Sequence, residues 1–108
     1  MTETEFLEKI LELSSGGAKV LVYTADFLPF VRKLLACCAG IPFELAEPEA
    51  HRTVKETRKW HEAAMILKGR EIIISENFDK MAAEIPRIQP DYVLDERDFT
   101  IRTCAGKQ

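Results

Sequence analysis

Two short polar segments carry the residues of this sequence best suited to binding a small polar ligand. Each follows an apolar run, and together they supply hydroxyl, amide and carboxylate groups: Thr24, Asp26, Ser75, Glu76 and Asn77. Neither segment contains a glycine, so the backbone cannot approach a diphosphate as a GxGxxG turn or a P-loop does. We therefore expect a small polar ligand or a protein partner here. The structural alternative is that Asp26 and Asn77 are helix N-caps, a position that favours these residue types.

Carboxylates at the ends of the predicted strands suggest a second chemistry. They are Asp26, Glu47, Glu76, Asp95 and Glu96. Mg²⁺ prefers oxygen ligands, so two or three of these groups at one sheet edge would form a metal site, with Lys80 or Arg97 holding a phosphate. A metal-dependent enzyme of phosphoryl or nucleotide chemistry is the alternative function. The helix dipole favours acidic residues near helix N-termini in any case, which weakens this alternative.

A third candidate is the basic stretch 51–61. On a helix, His51, Lys55 and Arg58 would share one face and offer a site for an anion or an acidic partner. Interspersed glutamates such as Glu56 dilute the charge, so a solvated helix face is the simpler interpretation. The sequence contains no HExxH metal motif and no nucleophile elbow.

Three cysteines, Cys37, Cys38 and Cys104, form an odd set without CxxC spacing. We interpret them as reduced thiols. Cys37 and Cys38 lie within an apolar run, where cysteine behaves as a small hydrophobic residue. No redox or metal role is expected of them, and the cofactor, if the protein has one, is unknown.

Composition indicates one globular domain. Of 108 residues, 46% are hydrophobic and 31% are charged, which is typical of a folded chain. The net charge of −3 gives no overall field for nucleic acid. No apolar run approaches the roughly 20 residues that span a bilayer, and the N-terminus is acidic where a signal peptide is basic. We expect a cytoplasmic protein without membrane or nucleic-acid partners.

Helical signals occur four times along the chain. We predict helices over 2–14, 27–39, 48–68 and 77–85. Thr2 and Glu5 form a capping box at the start of the first helix. Gly40 suits the left-handed residue that ends the second helix. Pro86 should terminate the fourth, because the residue before a proline is pushed away from helical backbone.

Apolar runs predict strands over 20–23, 41–46, 71–75 and 92–94, with a further strand over 99–103. The three consecutive isoleucines Ile72–Ile74 are the strongest strand signal and predict a central strand, buried on both faces. Ile41–Ala46 has a proline, Pro42, near its start and is predicted to be a short outer strand. Residues 99–103 alternate like an edge strand, whose position in the sheet the pattern leaves open.

Alternating helices and strands predict an α/β fold with right-handed crossovers and helices on both faces of a parallel sheet. The expected architecture is a small doubly wound three-layer α/β/α sandwich, Rossmann- or flavodoxin-like, with four parallel strands in order 2-1-3-4 and the C-terminal strand at an edge. In such a sheet ligands bind beyond the carboxyl ends of the strands. The leading function is a non-catalytic binding or interaction module that forms a homodimer, since residues 99–103 offer an unpaired edge.

Overall fold

The protein is a small mixed α/β domain, and the computed structural model describes residues 1–41 and 54–104, with the side chains of all but 54–56 among them. Those residues form four helices and one four-stranded sheet. In chain order the elements are α1 Glu3–Ser15, β1 Val20–Tyr23, α2 Phe27–Ala39, α3 Val54–Lys68, β2 Ile72–Ser75, α4 Phe78–Ile88, β3 Tyr92–Asp95 and β4 Thr100–Thr103.

The sheet has the order β2-β1-β3-β4. β1 lies parallel to β2 on one side, where Val20 is opposite Ile72, and parallel to β3 on the other, where Val20 is opposite Tyr92. The prediction that 20–23 and 72–74 run side by side in the same direction is confirmed. The carboxyl ends of three strands consequently lie at one edge of the sheet.

Three details of the predicted topology are wrong. β4 runs antiparallel to β3, so the sheet is mixed. The short connection between these strands explains this, because only a long crossover joins parallel neighbours. Within the described residues β2 stands at an end of the sheet instead of its centre, and β3 pairs with β1, not β2. Burial agrees, since Val20–Val22 are fully buried while Ile72–Ile74 are partly exposed. The strand predicted over 41–46 lies outside the described residues, apart from Ile41.

Helices cover both faces of the sheet. Alternate strand residues point to opposite sides, so Val20 and Val22 pack against Phe6 of α1 and Phe30 of α2 on one face. Leu21 and Val93 pack against Met81 and Ile88 of α4 on the other. Helices α1 and α2 thus lie on one face of the sheet and α4 on the other.

Within the described residues the helix ends lie at the predicted positions with one exception. Thr2 and Glu5 form the capping box, and Gly40 adopts φ 71°. The exception is α4, which continues past Pro86 to Ile88. Proline has no backbone N–H, so the helical carbonyl four residues before Pro86 loses its partner. Pro86 is exposed, so this carbonyl faces the solvent side. Burial of Ile88 against the α4 face of the sheet holds the last turn in place.

The third helix begins at Val54 in the structure, and the predicted start at Pro48 lies outside the described residues. Its second half makes core contacts, as expected, and of its first half only the side chains of 57–59 are described and they are exposed. Ala63 is buried, Leu67 packs against the sheet, and Trp60 packs against Ile41. No helix in residues 1–41 and 54–104 is long and apolar enough to cross a membrane.

Candidate functional site

The carboxyl ends of β1, β2 and β3 form one continuous edge, which we call the carboxyl rim and define as residues 24–28, 75–77 and 95–98. The parallel register sets this position, because Tyr23 lies opposite Ser75 on one side and Asp95 on the other. All five residues predicted to bind a ligand lie in the rim. Whether they bind one stays a prediction, and their hydrogen bonds limit what each can do.

Thr24 joins two of the rim loops. Its side chain is fully buried, and its hydroxyl donates a hydrogen bond of 2.6 Å to Oε1 of Glu96. The hydroxyl oxygen of Thr24 also accepts a bond of 3.2 Å from the backbone N–H of Asp26. The hydroxyl therefore fastens the β1 loop to the β3 loop, and its second acceptor within reach is the carbonyl of Asp26 at 3.3 Å.

Glu76 caps a helix that starts in a different loop. Its Oε2 accepts a hydrogen bond of 3.0 Å from the backbone N–H of Phe27, the first residue of α2. Asp26 occupies the N-cap position of α2 but makes no side-chain cap bond. Asp26 therefore occupies the N-cap position, as predicted, but Glu76 and not Asp26 accepts the capping hydrogen bond. The exposed carboxylate of Asp26 faces the solvent.

Ser75 and Asn77 stabilise the start of α4. The Oδ1 of Asn77 accepts a bond of 2.9 Å from the N–H of Lys80, which is the predicted cap. The Oγ of Ser75 accepts one of 3.2 Å from the N–H of Asn77. These contacts support the structural interpretation of both residues as parts of a strand-to-helix turn.

A second cluster in the rim centres on Asp95 and Arg97. The guanidinium Nε and Nη2 bind the two carboxylate oxygens of Asp95, at 3.0 Å to Oδ1 and 2.6 Å to Oδ2. The guanidinium carbon lies 4.8 Å from the ring centre of Tyr23 and 4.4 Å from that of Phe78. Hydrogen bonds from Arg97 outweigh burial and lower the pKa of the Asp95 carboxyl. Arg97 is therefore held in place by a neutralising carboxylate, which differs from the predicted role as a phosphate ligand.

Two large apolar side chains lie exposed beside these polar groups. Leu28 is 60% exposed and Phe27 is 38% exposed, both in the first turn of α2. The sequence analysis predicted the bounds of this helix and not which of its side chains are exposed. The sequence gives a signal for Leu28, which stands two positions before buried Phe30, because residues two apart do not share a helix face.

The exposed charge of the rim is mainly acidic. Asp26, Glu76 and Asp98 are exposed and Glu96 is half-buried, while Arg97 is the exposed cation of the described rim and is paired with Asp95. The rim consequently combines negative charge with an apolar patch.

The metal alternative finds no ligand set in residues 1–41 and 54–104, where no group of three or more His, Cys, Asp or Glu side chains is placed to hold an ion. Glu47 lies outside the described residues. His51 and Arg52 of the basic stretch also lie outside the described residues. Lys55 lies within α3, but its side chain is not among those described. Arg58 is exposed on α3.

A groove of about 870 Å³ lies away from the rim, between α1 and the C-terminal ends of α2 and α3. Leu11, Cys37, Ile66 and Arg70 are among its lining residues, and no predicted site residue is. Burial raises the pKa of the Cys37 thiol, helped by the nearby carboxylate of Glu8. A raised thiol pKa disfavours the reactive thiolate, as expected for cysteine used as a hydrophobic residue.

No family model, curated protein or solved structure matches this chain.

Proposed function

We propose that this chain is a non-catalytic interaction module whose carboxyl rim binds a basic segment of a partner protein that also carries an apolar side chain. The observation that carries the proposal is the exposure of Phe27 and Leu28 within a rim of acidic residues. Contiguous exposed apolar side chains mark interaction surfaces, and acidic groups around them select a basic partner.

The hydrogen bonds of the rim favour recognition over catalysis. The hydroxyl of Thr24 is bonded to Glu96, and Glu76 is bonded to the backbone of α2. A general base or nucleophile has to be available to its substrate, whereas these groups already hold the loops together. A rigid loop scaffold is what a binding surface requires, because it lowers the entropy cost of association.

A protein segment suits the rim better than a small polar ligand, the other class expected from the sequence. Small ligands are usually enclosed in a concave pocket that buries most of their surface. A cavity of about 450 Å³ reaches Asp95 and Asp98 of the rim, but the available groups are exposed side chains outside its lining: the Asp26 carboxylate, which makes no cap bond, and Leu28. The metal-dependent enzyme remains the less favoured alternative.

The winding of the chain supports assigning the fold to the doubly wound, Rossmann- or flavodoxin-like type. From β1 to β2 the chain moves one way across the sheet, with α2 on one face. From β2 to β3 it moves back past β1, with α4 on the opposite face. A reversal of direction with a change of face keeps both crossovers of the same hand, and the crevice between β1 and β3, where the strand order reverses, is then where such folds bind. With three free thiols, we place the protein in the cytoplasm.

Binding is tested by fluorescence anisotropy with two labelled probes, a peptide of alternating lysine and leucine and a matched peptide of glutamate and leucine. We expect the basic probe to bind and the acidic probe not to. Leu28→Ser should weaken binding roughly tenfold, in line with the loss of about 1–2 kcal/mol when an apolar contact is removed. Asp26→Asn should weaken it about twofold to fivefold and reduce its salt dependence.

Matched controls lie on α3, far from the rim. Met65 is 70% exposed, and Glu62 is exposed, so Met65→Ser and Glu62→Gln remove the same kinds of group elsewhere. Binding should be unchanged in both. Equal binding of the acidic probe, or an equal loss in Met65→Ser, would exclude the rim as the binding surface.

A further inference from the structure

The outer edge of β2, the side turned away from β1, has unpaired backbone groups. The N–H of Val20 bonds to the carbonyl of Glu71 at 2.9 Å, and the N–H of Thr24 bonds to that of Ser75 at 3.0 Å. Backbone direction alternates along a strand, so the N–H and C=O groups of Ile72 and Ile74 point outward. No strand in the described part of the chain pairs with them.

This edge lacks the protection that the opposite edge has. β4 presents exposed Thr100, Arg102 and Thr103, and charged or polar side chains deter pairing with another chain. β2 is instead composed of three isoleucines and a serine, and Ile73 is 37% exposed. The sequence pattern of a central strand thus occurs at an end of the described sheet.

We propose that a second copy of this chain pairs its β2 with this edge, antiparallel and about a twofold axis at Ile73. In that register Ile72 of one protomer lies opposite Ile74 of the other, and each such pair exchanges both backbone N–H···O bonds. The outward groups are those of Ile72 and Ile74, as this register requires. Ile73 then meets its own counterpart as a pair without direct hydrogen bonds, the closer type of cross-strand contact. The result is one continuous eight-stranded sheet.

Charge selects a second copy as the occupant. The register places Arg70 of one protomer opposite Glu76 of its partner, twice by symmetry, so a strand carrying both charges is complementary to itself. Nη1 of Arg70 donates to the carbonyl of Leu11, and Oε2 of Glu76 accepts from Phe27. Nη2 of Arg70 and Oε1 of Glu76 take no part in those bonds. The dimer shares one residue with the carboxyl rim, Glu76, and its test does not use the peptide probes.

Sedimentation velocity over a range of concentrations tests the dimer. We expect the wild-type chain to approach twice its 12.3 kDa mass, and Ile73→Lys to sediment as a monomer, because like charges directly opposite each other repel. Thr103→Lys adds the same charge to the β4 edge and should leave the dimer intact. A wild-type chain that stays monomeric at every concentration, or an Ile73→Lys variant that still dimerises, overturns the proposal.

Disulfide trapping keeps the test independent of whether Ile73→Lys folds. Ile73→Cys places two thiols across the twofold axis at a spacing compatible with a disulfide. Under mild oxidant we expect a covalent dimer that forms with Ile73→Cys and not with Thr100→Cys on the β4 edge, with the wild-type chain and its three native cysteines as the background. Equal trapping at both positions overturns the proposal. Slow amide exchange at Ile72 and Ile74 in a monomeric sample does so too, since another part of the same chain would then pair with the edge.

Discussion

The Oε2 of Glu76 accepts a hydrogen bond of 3.0 Å from the backbone N–H of Phe27, so the loop after β2 caps the helix that follows β1. The bond crosses the crevice between two parallel strands and orients the exposed first turn of α2. It also places a negative charge at a helix N-terminus, where the helix dipole stabilises it. A carboxylate that resembles a catalytic or metal-binding group in the sequence thus has a definite structural task in the fold.

Replacement of Glu76 by alanine should destabilise the protein by about 0.5–1.5 kcal/mol, because the N–H of Phe27 loses its partner. The measurement is urea unfolding followed by circular dichroism. Glu62→Ala removes an exposed carboxylate from α3 and should change the free energy of unfolding by less than about 0.5 kcal/mol. Equal effects of the two variants would show that the Glu76–Phe27 bond contributes nothing.

Thr24→Val keeps the shape of a fully buried side chain and removes its hydroxyl. Glu96 then loses a donor and the N–H of Asp26 loses an acceptor, which should cost about 1–3 kcal/mol. Thr24→Ser retains the hydroxyl, so its loss in the free energy of unfolding relative to the wild-type chain should come mostly from the removal of one methyl group. If valine is tolerated better than serine, the loops are held by packing and not by this hydroxyl.

The Asp95–Arg97 pair should make stability depend on pH in the acid range. Arg97 lowers the folded-state pKa of Asp95 below its ordinary value of 3.8. The resulting stabilisation is fully present above the ordinary value and is lost as the pH falls through the lowered pKa. We expect the wild-type chain to lose stability below about pH 4 more steeply than Asp95→Asn, which cannot titrate there. Parallel pH profiles in urea unfolding would contradict this assignment.

Pro86→Ala should stabilise α4. Pro86 lies inside the helix and is exposed, so alanine restores a backbone N–H without a change in core packing. We expect a gain of about 1 kcal/mol, smaller than the interior penalty of proline because the site is near the helix end and proline also restricts the unfolded chain. A loss of stability in thermal unfolding would show that the proline ring makes a contact that matters.

Local signals in the sequence predicted much of the fold. The cap residues and apolar runs located α1, α2 and β1 to within a residue or so, and the side-by-side parallel arrangement of β1 and β2 followed from the α/β alternation. Strand order did not follow, because local pattern does not determine which neighbour a strand takes. The isoleucines of β2 predicted a central strand, while the fold places β1 there.

The candidate site was predicted as a set of residues and not as a set of interactions. Residue type and strand position brought Thr24, Glu76 and Asn77 to one rim, as found. Their partners were not predictable, since Thr24 bonds to Glu96, which is 72 positions away, and Glu76 bonds to Phe27 across 49 positions. Such pairs depend on the register of the sheet, which sequence pattern alone does not give.

The central claim is that the carboxyl rim recognises a basic partner, and the most direct measurement is a map of backbone amide shifts. The ¹⁵N-labelled chain would be titrated with the lysine–leucine peptide and followed by two-dimensional NMR. We predict shifts concentrated in residues 24–28, 75–77 and 95–98, with little change in α3. Shifts that spare the rim and concentrate in another part of the molecule would contradict the claim, as would the absence of any shift.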